Sequence, residues 1–209
     1  MLRLILVIVI VFVLLLIAEY LWRVKKYHSE FTRKFIHITV GTFAAFWPWF
    51  LSWRQIELLA VLFFIVILAS RLLTIFGSIH LIGRKTVGEV LFAVSIGLTA
   101  LISPGRLVFA AALLHLSLAD GLAAIAGTKY GKKTSYKVFG QYKTLVGSVT
   151  FLVCSFLILS IYFATSHATG AWPTLLWLPL AATLLENMGL RGGDNVLVPV
   201  TVAVALRFI

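Results

Sequence analysis

Residues Leu118–Gly147 read LADGLAAIAGTKYGKKTSYKVFGQYKTLVG, and they connect the end of one hydrophobic segment to the start of the next. Asp120 falls in the hydrophobic part, where an ionised carboxylate costs several kcal/mol unless it is paired, hydrated or bound to a metal ion. The loop that follows contains five lysines: Lys129, Lys132, Lys133, Lys137 and Lys143. A carboxylate in an apolar segment beside several cations predicts a site for an anionic, metal-bound ligand.

Small residues follow Asp120 at helical spacing. Gly127 and Gly131 come seven and eleven positions after it, on the same helical face. Such residues let a neighbouring backbone or a ligand come close. A carboxylate, a glycine groove and a lysine loop together suit a metal-bound polyphosphate. The competing interpretation is a helix-packing stripe followed by a loop that obeys the positive-inside rule.

The composition is that of an integral membrane protein. Of the 209 residues, 61% are hydrophobic, against roughly 45–50% in soluble domains. We predict an all-α, polytopic transmembrane bundle of seven or eight helices that forms one domain over residues 1–209. Residues 1–22 are expected to be a signal-anchor helix and 33–209 the membrane core. The expected spans are about Leu2–Leu21, Phe35–Leu51, Ile56–Ile75, Val87–Ile102, Leu107–Ala126, Leu145–Thr165, Pro173–Gly189 and Asn195–Phe208.

The charged residues predict an orientation. The positive-inside rule applied to the Lys and Arg residues places the N-terminus outside and the lysine-rich loops in the cytoplasm. Most carboxylates lie on the same side, which that rule does not require, so we expect a site at the cytoplasmic face, with simple charge pairing as the alternative. The net charge of +11 suits anionic lipid or an anionic substrate; nucleic acid is not expected, because no soluble basic fold is present.

A basic motif opens the second span with Arg33, Lys34 and His37. Arg33, His37 and Gly41 share one helical face. A helix N-terminus favours anions, and the Arg guanidinium binds phosphate in a bidentate way. His37 has the chemistry to donate to phosphate or to take a proton from a hydroxyl near neutral pH. The alternative is a basic membrane flank with a hydrogen-bonded packing histidine.

Three further stretches have basic or acidic groups at the same side. Arg84 and Glu89 flank the start of one span, and Lys143, Thr144 and Gly147 open another. Near the C-terminus the polar residues are Glu186, Asp194 and Asn195. The last two suit metal or nucleotide contacts and, equally, a turn with a helix N-cap. The glycine spacing excludes a P-loop, and the scattered histidines do not predict a zinc site.

Together these motifs resemble the polyprenol kinase family, which includes dolichol kinase, phytol kinase and CTP-dependent diacylglycerol kinases. The resemblance extends from about Arg33 to Pro199. It depends on Arg33-Lys34-x-x-His37 with Gly41, Gly88-Glu89, Asp120-Gly-x-Ala-x-x-x-Gly127-x-x-x-Gly131, Lys143-Thr144-x-x-Gly147 and Asp194-Asn195-x-x-x-Pro199. It implies transfer of the γ-phosphoryl group of CTP to the hydroxyl of a membrane isoprenoid alcohol or diacylglycerol.

The resemblance and the residue chemistry assign expected roles. Catalytic residues are Asp120, His37 and Arg33, and either His37 or Asp120 accepts the hydroxyl proton. Mg²⁺ or another divalent cation is expected on Asp120 with Asp194 or Glu186. Nucleotide and phosphate contacts are expected from Arg33, Lys34, Gly127, Gly131, Lys132, Lys143, Thr144, Gly147 and Asn195. Structural support is expected from Gly41, Arg84 and Glu89.

Two other activities are alternatives. The segment from Asp120 to Gly147 also resembles phosphatidate cytidylyltransferases, which make CDP-lipids, but the C-terminal Pro-Gly-His-Gly-Gly run of those enzymes is absent from this sequence. A small transporter of an anionic substrate is the alternative of another class. Transporters commonly bind near the midplane between repeated halves, whereas the polar groups here gather at one face.

Overall fold

The computed structural model describes residues 1–25, 29–73, 87–166, 168 and 171–209. Each predicted span overlaps a helix in this part of the chain, but the bounds differ. The predicted span Leu107–Ala126 covers two helices, Phe35–Leu51 extends past the end of its helix, and residues 74–75 of Ile56–Ile75 lie outside the described residues. The helices are α1 (Leu2–Arg23), α2 (Ser29–Ala45), α3 (Trp53–Leu73), α4 (Gly88–Ile102), α5 (Arg106–Leu114), α6 (Asp120–Tyr130), α7 (Leu145–Ser166), α8 (Ala171–Met188) and α9 (Asp194–Arg207). Arg84 lies outside the described residues.

Several helices are suited to a bilayer. Four helical segments of the described chain are long and apolar enough to cross one: Leu2–Leu21, Trp53–Ser70, Arg106–Tyr130 and Leu145–Ser166. Helices are expected there because each satisfies its own backbone hydrogen bonds away from water. The architecture is that of a helical membrane protein, and the direction in which the helices cross the bilayer stays a prediction.

A π-helical turn, His115–Ala119, joins α5 to α6. His115 is fully buried in it, with Nδ1 2.7 Å from the Ala111 carbonyl oxygen and Nε2 2.8 Å from the Ser155 hydroxyl on α7. Single π-helical turns within α-helices are frequent at functional sites. Asp120 is the next residue, so the irregular turn and its anchoring to α7 set the position of that carboxylate.

A β-hairpin between α6 and α7 corrects the all-α expectation. Strands β1 (Ser135–Val138) and β2 (Gln141–Thr144) pair antiparallel, with Tyr136 opposite Lys143. The two residues between the strands both have positive φ, which gives the tight turn that such hairpins favour. The Tyr136 hydroxyl lies 2.6 Å from the Ser148 hydroxyl on α7 and donates to Asn187 Oδ1 on α8, also at 2.6 Å. The hairpin is therefore fixed to two helices, which holds Lys143 in place.

The buried side chains form two hydrophobic clusters. One lies among α1–α5 and includes Trp47 and Ile96; the other lies among α5–α9 and includes Phe151 and Leu178. Leu114 packs against both clusters. Helix α5 therefore joins the two hydrophobic clusters, which meet at Leu114. Asp120 follows Leu114 after the single π-helical turn.

Candidate active site

Helix α2 lies against the π turn and α6 at close range. A Cβ at Gly41 would clash with the Ser117 side chain, and a Cβ at Gly121 would clash with the Ile38 side chain. Only glycine leaves room for this approach. The sequence predicted Gly41 as a structural residue; the structure places it against Ser117, and the role stays a prediction.

The approach of α2 brings two of its side chains to Asp120. Lys34 Nζ donates to both carboxylate oxygens, at 2.9 and 3.2 Å, and His37 Nε2 lies 3.0 Å from Oδ2. Lys34 and His37 are both buried. A carboxylate in an apolar helix needs such compensation. The predicted basic motif and the predicted carboxylate therefore form one cluster.

His37 Nε2 has two acceptors in reach. It is 2.6 Å from the Leu116 carbonyl oxygen and 3.0 Å from Asp120 Oδ2. A carbonyl and a carboxylate accept only, so Nε2 must carry the hydrogen. Nδ1 is therefore the ring nitrogen that carries the lone pair.

Three carboxylates from three helices converge at one point. Asp120, Glu186 and Asp194 each place an oxygen within 4.8 Å of the others. Carboxylate oxygens are the ligands that hard divalent cations prefer, and like charges this close require cationic compensation. The three residues therefore fit Mg²⁺ or a similar ion. Gly193, not Asp194, is the N-cap residue of α9, so the carboxylate does not serve as the cap.

Lys143 lies at the edge of the carboxylate cluster. Its Nζ donates to Glu186 Oε1 at 2.6 Å and to the Glu186 carbonyl oxygen at 2.9 Å. Burial alone would lower the pKa of the Lys143 ammonium, but the carboxylates of Glu186, Asp194 and Asp120 together outweigh that effect, and the pKa is raised above its ordinary value. Lys143 therefore carries a full positive charge at neutral pH.

A polar cavity of about 270 Å³ contains these groups. Its walls come from α2, the start of α4, α6, β2 and the ends of α7, α8 and α9. Both signs of charge line it: Arg33, Lys34, Lys143, Asp120, Glu186 and Asp194. Such a cavity can bind an anionic ligand and a metal ion together. The Arg and Lys side chains bind the anion, and the carboxylates bind the metal ion.

The sequence of a known protein aligns with most of this chain. A phytol kinase from Synechocystis sp. is 34% identical over an alignment of 197 residues, which covers 88% of this chain and 81% of that protein. The chain belongs to the phytol kinase family. The resemblance predicted from the motifs is thereby confirmed. No family model matches the chain, and no solved structure matches it.

Most, but not all, of the predicted nucleotide-binding residues line the polar cavity. Gly131 and Lys132 do not line it, and Lys132 is exposed in the turn after α6. Those that do are Arg33, Lys34, Gly127, Lys143, Thr144, Gly147 and Asn195. Glu89 lines a neighbouring cavity together with Arg33. The predicted roles of these residues stay predictions.

Packing explains part of the glycine stripe. A Cβ on Gly127 would lie 2.6 Å from the Thr144 hydroxyl, and one on Gly131 would lie 2.6 Å from Thr144 Cβ. The Thr144 hydroxyl also accepts a hydrogen bond from the Gly147 amide at 3.1 Å, which caps α7. Gly131 therefore serves helix packing, whereas Gly127 both packs and lines the cavity.

Asn195 also has a structural contact. Its amide Nδ2 donates to the Gly88 carbonyl oxygen at 2.8 Å, which ties α9 to α4 across the polar end of the bundle. Both residues line the cavity. The bond holds Asp194, the preceding residue, at the carboxylate cluster.

Sequence reasoning missed the hairpin and its anchors. Tyr136, Ser148 and Asn187 form one hydrogen-bonded group, and Gln141 and Tyr142 line the cavity. A detectable signal was present, because two short polar–apolar segments flank a Phe-Gly pair that suits a two-residue turn. Asn187 gives no such signal, since its partner lies 51 positions away in the sequence.

Proposed function

We propose that this chain is a CTP-dependent lipid-alcohol kinase that transfers the γ-phosphoryl group of CTP to the hydroxyl of a membrane isoprenoid alcohol of the phytol or polyprenol type. The observation that carries the proposal is the convergence of Asp120, Glu186 and Asp194 beside Lys34 and Lys143, in a member of the phytol kinase family. Phosphoryl transfer needs mainly positioning and charge neutralisation, and this cluster supplies both kinds of group.

Asp120, Glu186 and Asp194 would hold a divalent cation, which when bound neutralises phosphate oxygens. Lys143 and Arg33, which both line the cavity, bind the nucleotide phosphates, Lys143 as a point charge and Arg33 as a two-pronged donor. Lys34 keeps Asp120 ionised and oriented through its paired hydrogen bonds. The residues of this chain therefore fix the phosphates before the reaction starts.

In the proposed transfer, the alcohol oxygen bonds to the γ-phosphorus as the bond from that phosphorus to the β–γ bridging oxygen breaks. CDP leaves, and the hydroxyl proton moves to a base on the protein. We assign this role to His37 Nδ1, because Nε2 already donates to Leu116 and Asp120. The Asp120 carboxylate then stabilises the protonated ring.

His37→Gln tests this assignment. The Gln amide retains a donor for Asp120 but cannot accept a proton near neutral pH. We expect kcat to fall at least tenfold, about 1.4 kcal/mol, with little change in KM for CTP. An unchanged kcat in a folded His37→Gln protein would exclude His37 as the base and leave Asp120 in that role.

The donor and the metal requirement are tested with the purified protein in detergent and phytol as acceptor. Each of the common nucleoside triphosphates is supplied in turn, with a divalent-metal chelator and then with added Mg²⁺. We expect lipid phosphate with CTP above all other donors, none in the chelator, and recovery with Mg²⁺. Lipid phosphate that forms equally in the chelator would rule out the proposed metal site.

A further inference from the structure

A second cavity lies next to the polar one, among α1, α2, α3 and α4. It has a volume of about 80 Å³, and its walls are mainly apolar: Leu15, Ile36, Val40, Phe63, Val66 and Phe92. At one end the lining becomes polar, with Arg33, His37 and Glu89. The cavity therefore has the character expected for an amphipathic molecule with an apolar body and one polar end.

The two cavities adjoin at their polar ends. Arg33, Gly88 and Asn195 line both of them. His37 stands at the boundary, since Nε2 contacts Asp120 at 3.0 Å while the ring packs on Phe92 with centroids 4.9 Å apart. A hydroxyl at the polar end of the apolar cavity lies beside His37 and next to the carboxylate cluster.

The apolar cavity also borders the outer surface of the bundle. Val66 lines it and is nevertheless 39% exposed. Both α1 and α3 carry many exposed apolar side chains, and both helices are among those apolar enough to cross a bilayer. Their outer faces would contact lipid hydrocarbon, so an apolar chain can enter sideways between α1 and α3 without passing through water.

We infer that this cavity binds the hydrocarbon chain of the alcohol substrate and aims its hydroxyl at His37 Nδ1 and the bound phosphates. The inference deepens the proposed function and depends on it for the identity of the occupant. A volume this small takes the carbons next to the hydroxyl, and the rest of the chain lies between α1 and α3 in the lipid. The side chains at the entrance thus determine which lipid alcohols react.

Two neighbouring positions on α3 give a matched test. Val66→Trp fills the entrance, whereas Ile65→Trp places the same side chain on an outward position that is 55% exposed and does not line the cavity. We expect Val66→Trp to raise KM for phytol at least tenfold with KM for CTP unchanged, and Ile65→Trp to resemble the wild type. Equal effects of the two variants on KM for phytol would overturn the inference.

A binding readout separates this inference from the proposed function. An isoprenoid alcohol that carries a photoreactive diazirine is crosslinked to the wild-type protein, and the labelled peptides are mapped by mass spectrometry. We expect labels on the lining residues of α2, α3 and α4, displaced by excess phytol and reduced in Val66→Trp. Labels confined to outward faces, in a protein that phosphorylates phytol, would overturn the cavity assignment and leave the kinase intact. Displaceable labels in the cavity of a protein without kinase activity would support the binding site and refute the proposed function.

Discussion

Asp120→Asn is expected to lower the rate of phosphoryl transfer at least a hundredfold, about 2.7 kcal/mol of activation free energy. The substitution keeps the size of the side chain and removes the charge that Lys34 and His37 both contact. It also takes one ligand from the three-carboxylate cluster. The rate is measured with saturating phytol and CTP, over a range of Mg²⁺ concentrations, since a lost ligand should also raise the Mg²⁺ concentration needed for half-maximal activity.

The matched control for Asp120 is Glu57→Gln. Glu57 lies near the start of α3, outside the cavity lining, so loss of its charge should leave transfer within about twofold of the wild type. The thermal unfolding of each variant in detergent shows whether the fold survives. A folded Asp120→Asn protein that retains more than about a tenth of the wild-type rate would remove Asp120 as a metal ligand.

Lys143→Met is expected to lower transfer to a similar extent and also to destabilise the protein. The substitution leaves Glu186 buried without its partner, and breaking a buried ion pair on one side costs about 3–5 kcal/mol. It also removes a cation whose raised pKa keeps it charged beside the phosphates. Thermal unfolding in detergent reports the first effect, and the rate at saturating CTP reports the second.

The double variant Lys143→Met with Glu186→Gln separates these two effects. Removing both charges should recover most of the lost stability, because no unpaired ion stays buried, while transfer stays at least a hundredfold down. Lys137→Met is the control on the same hairpin, since Lys137 is exposed and does not line the cavity. Recovery of activity together with stability in the double variant would mean that neither Lys143 nor the proposed metal ligand Glu186 takes part in transfer.

The helices were predictable from the sequence, and so were most of the charged residues that line the polar cavity. Long apolar runs give the helices because a bilayer admits few alternatives, and the gathering of carboxylates at one end of the spans indicated a site. The motifs pointed to Asp120 with Asp194 or Glu186, but the sequence did not indicate that all three carboxylates meet at one point. That depends on how α6, α8 and α9 pack, and on the π turn before Asp120, which shifts the helical phase by an amount that no periodicity shows.

Two residues of the site, Lys34 and Gly131, have contacts that differ from those predicted from the sequence. Lys34 is predicted as a phosphate contact, and the structure pairs it with Asp120, because Gly41 and Gly121 let α2 approach more closely than the motif alone implies. Gly131 is predicted to line a groove, and Thr144 fills that space. Both differences come from contacts between elements that are distant in the sequence, where local spacing carries no information.

The fate of the individual phosphates of CTP tests the central claim most directly. Purified protein, Mg²⁺, phytol and phosphatidate are incubated together with CTP that is radiolabelled at either the γ- or the α-phosphate, and the lipid products are extracted and separated. The account predicts that the γ label moves to phytol as a phosphate monoester, that CDP is released, and that the α label stays in the aqueous phase. An α label in a lipid with release of pyrophosphate, as in CDP-lipid synthesis, or no label in any lipid, would contradict it.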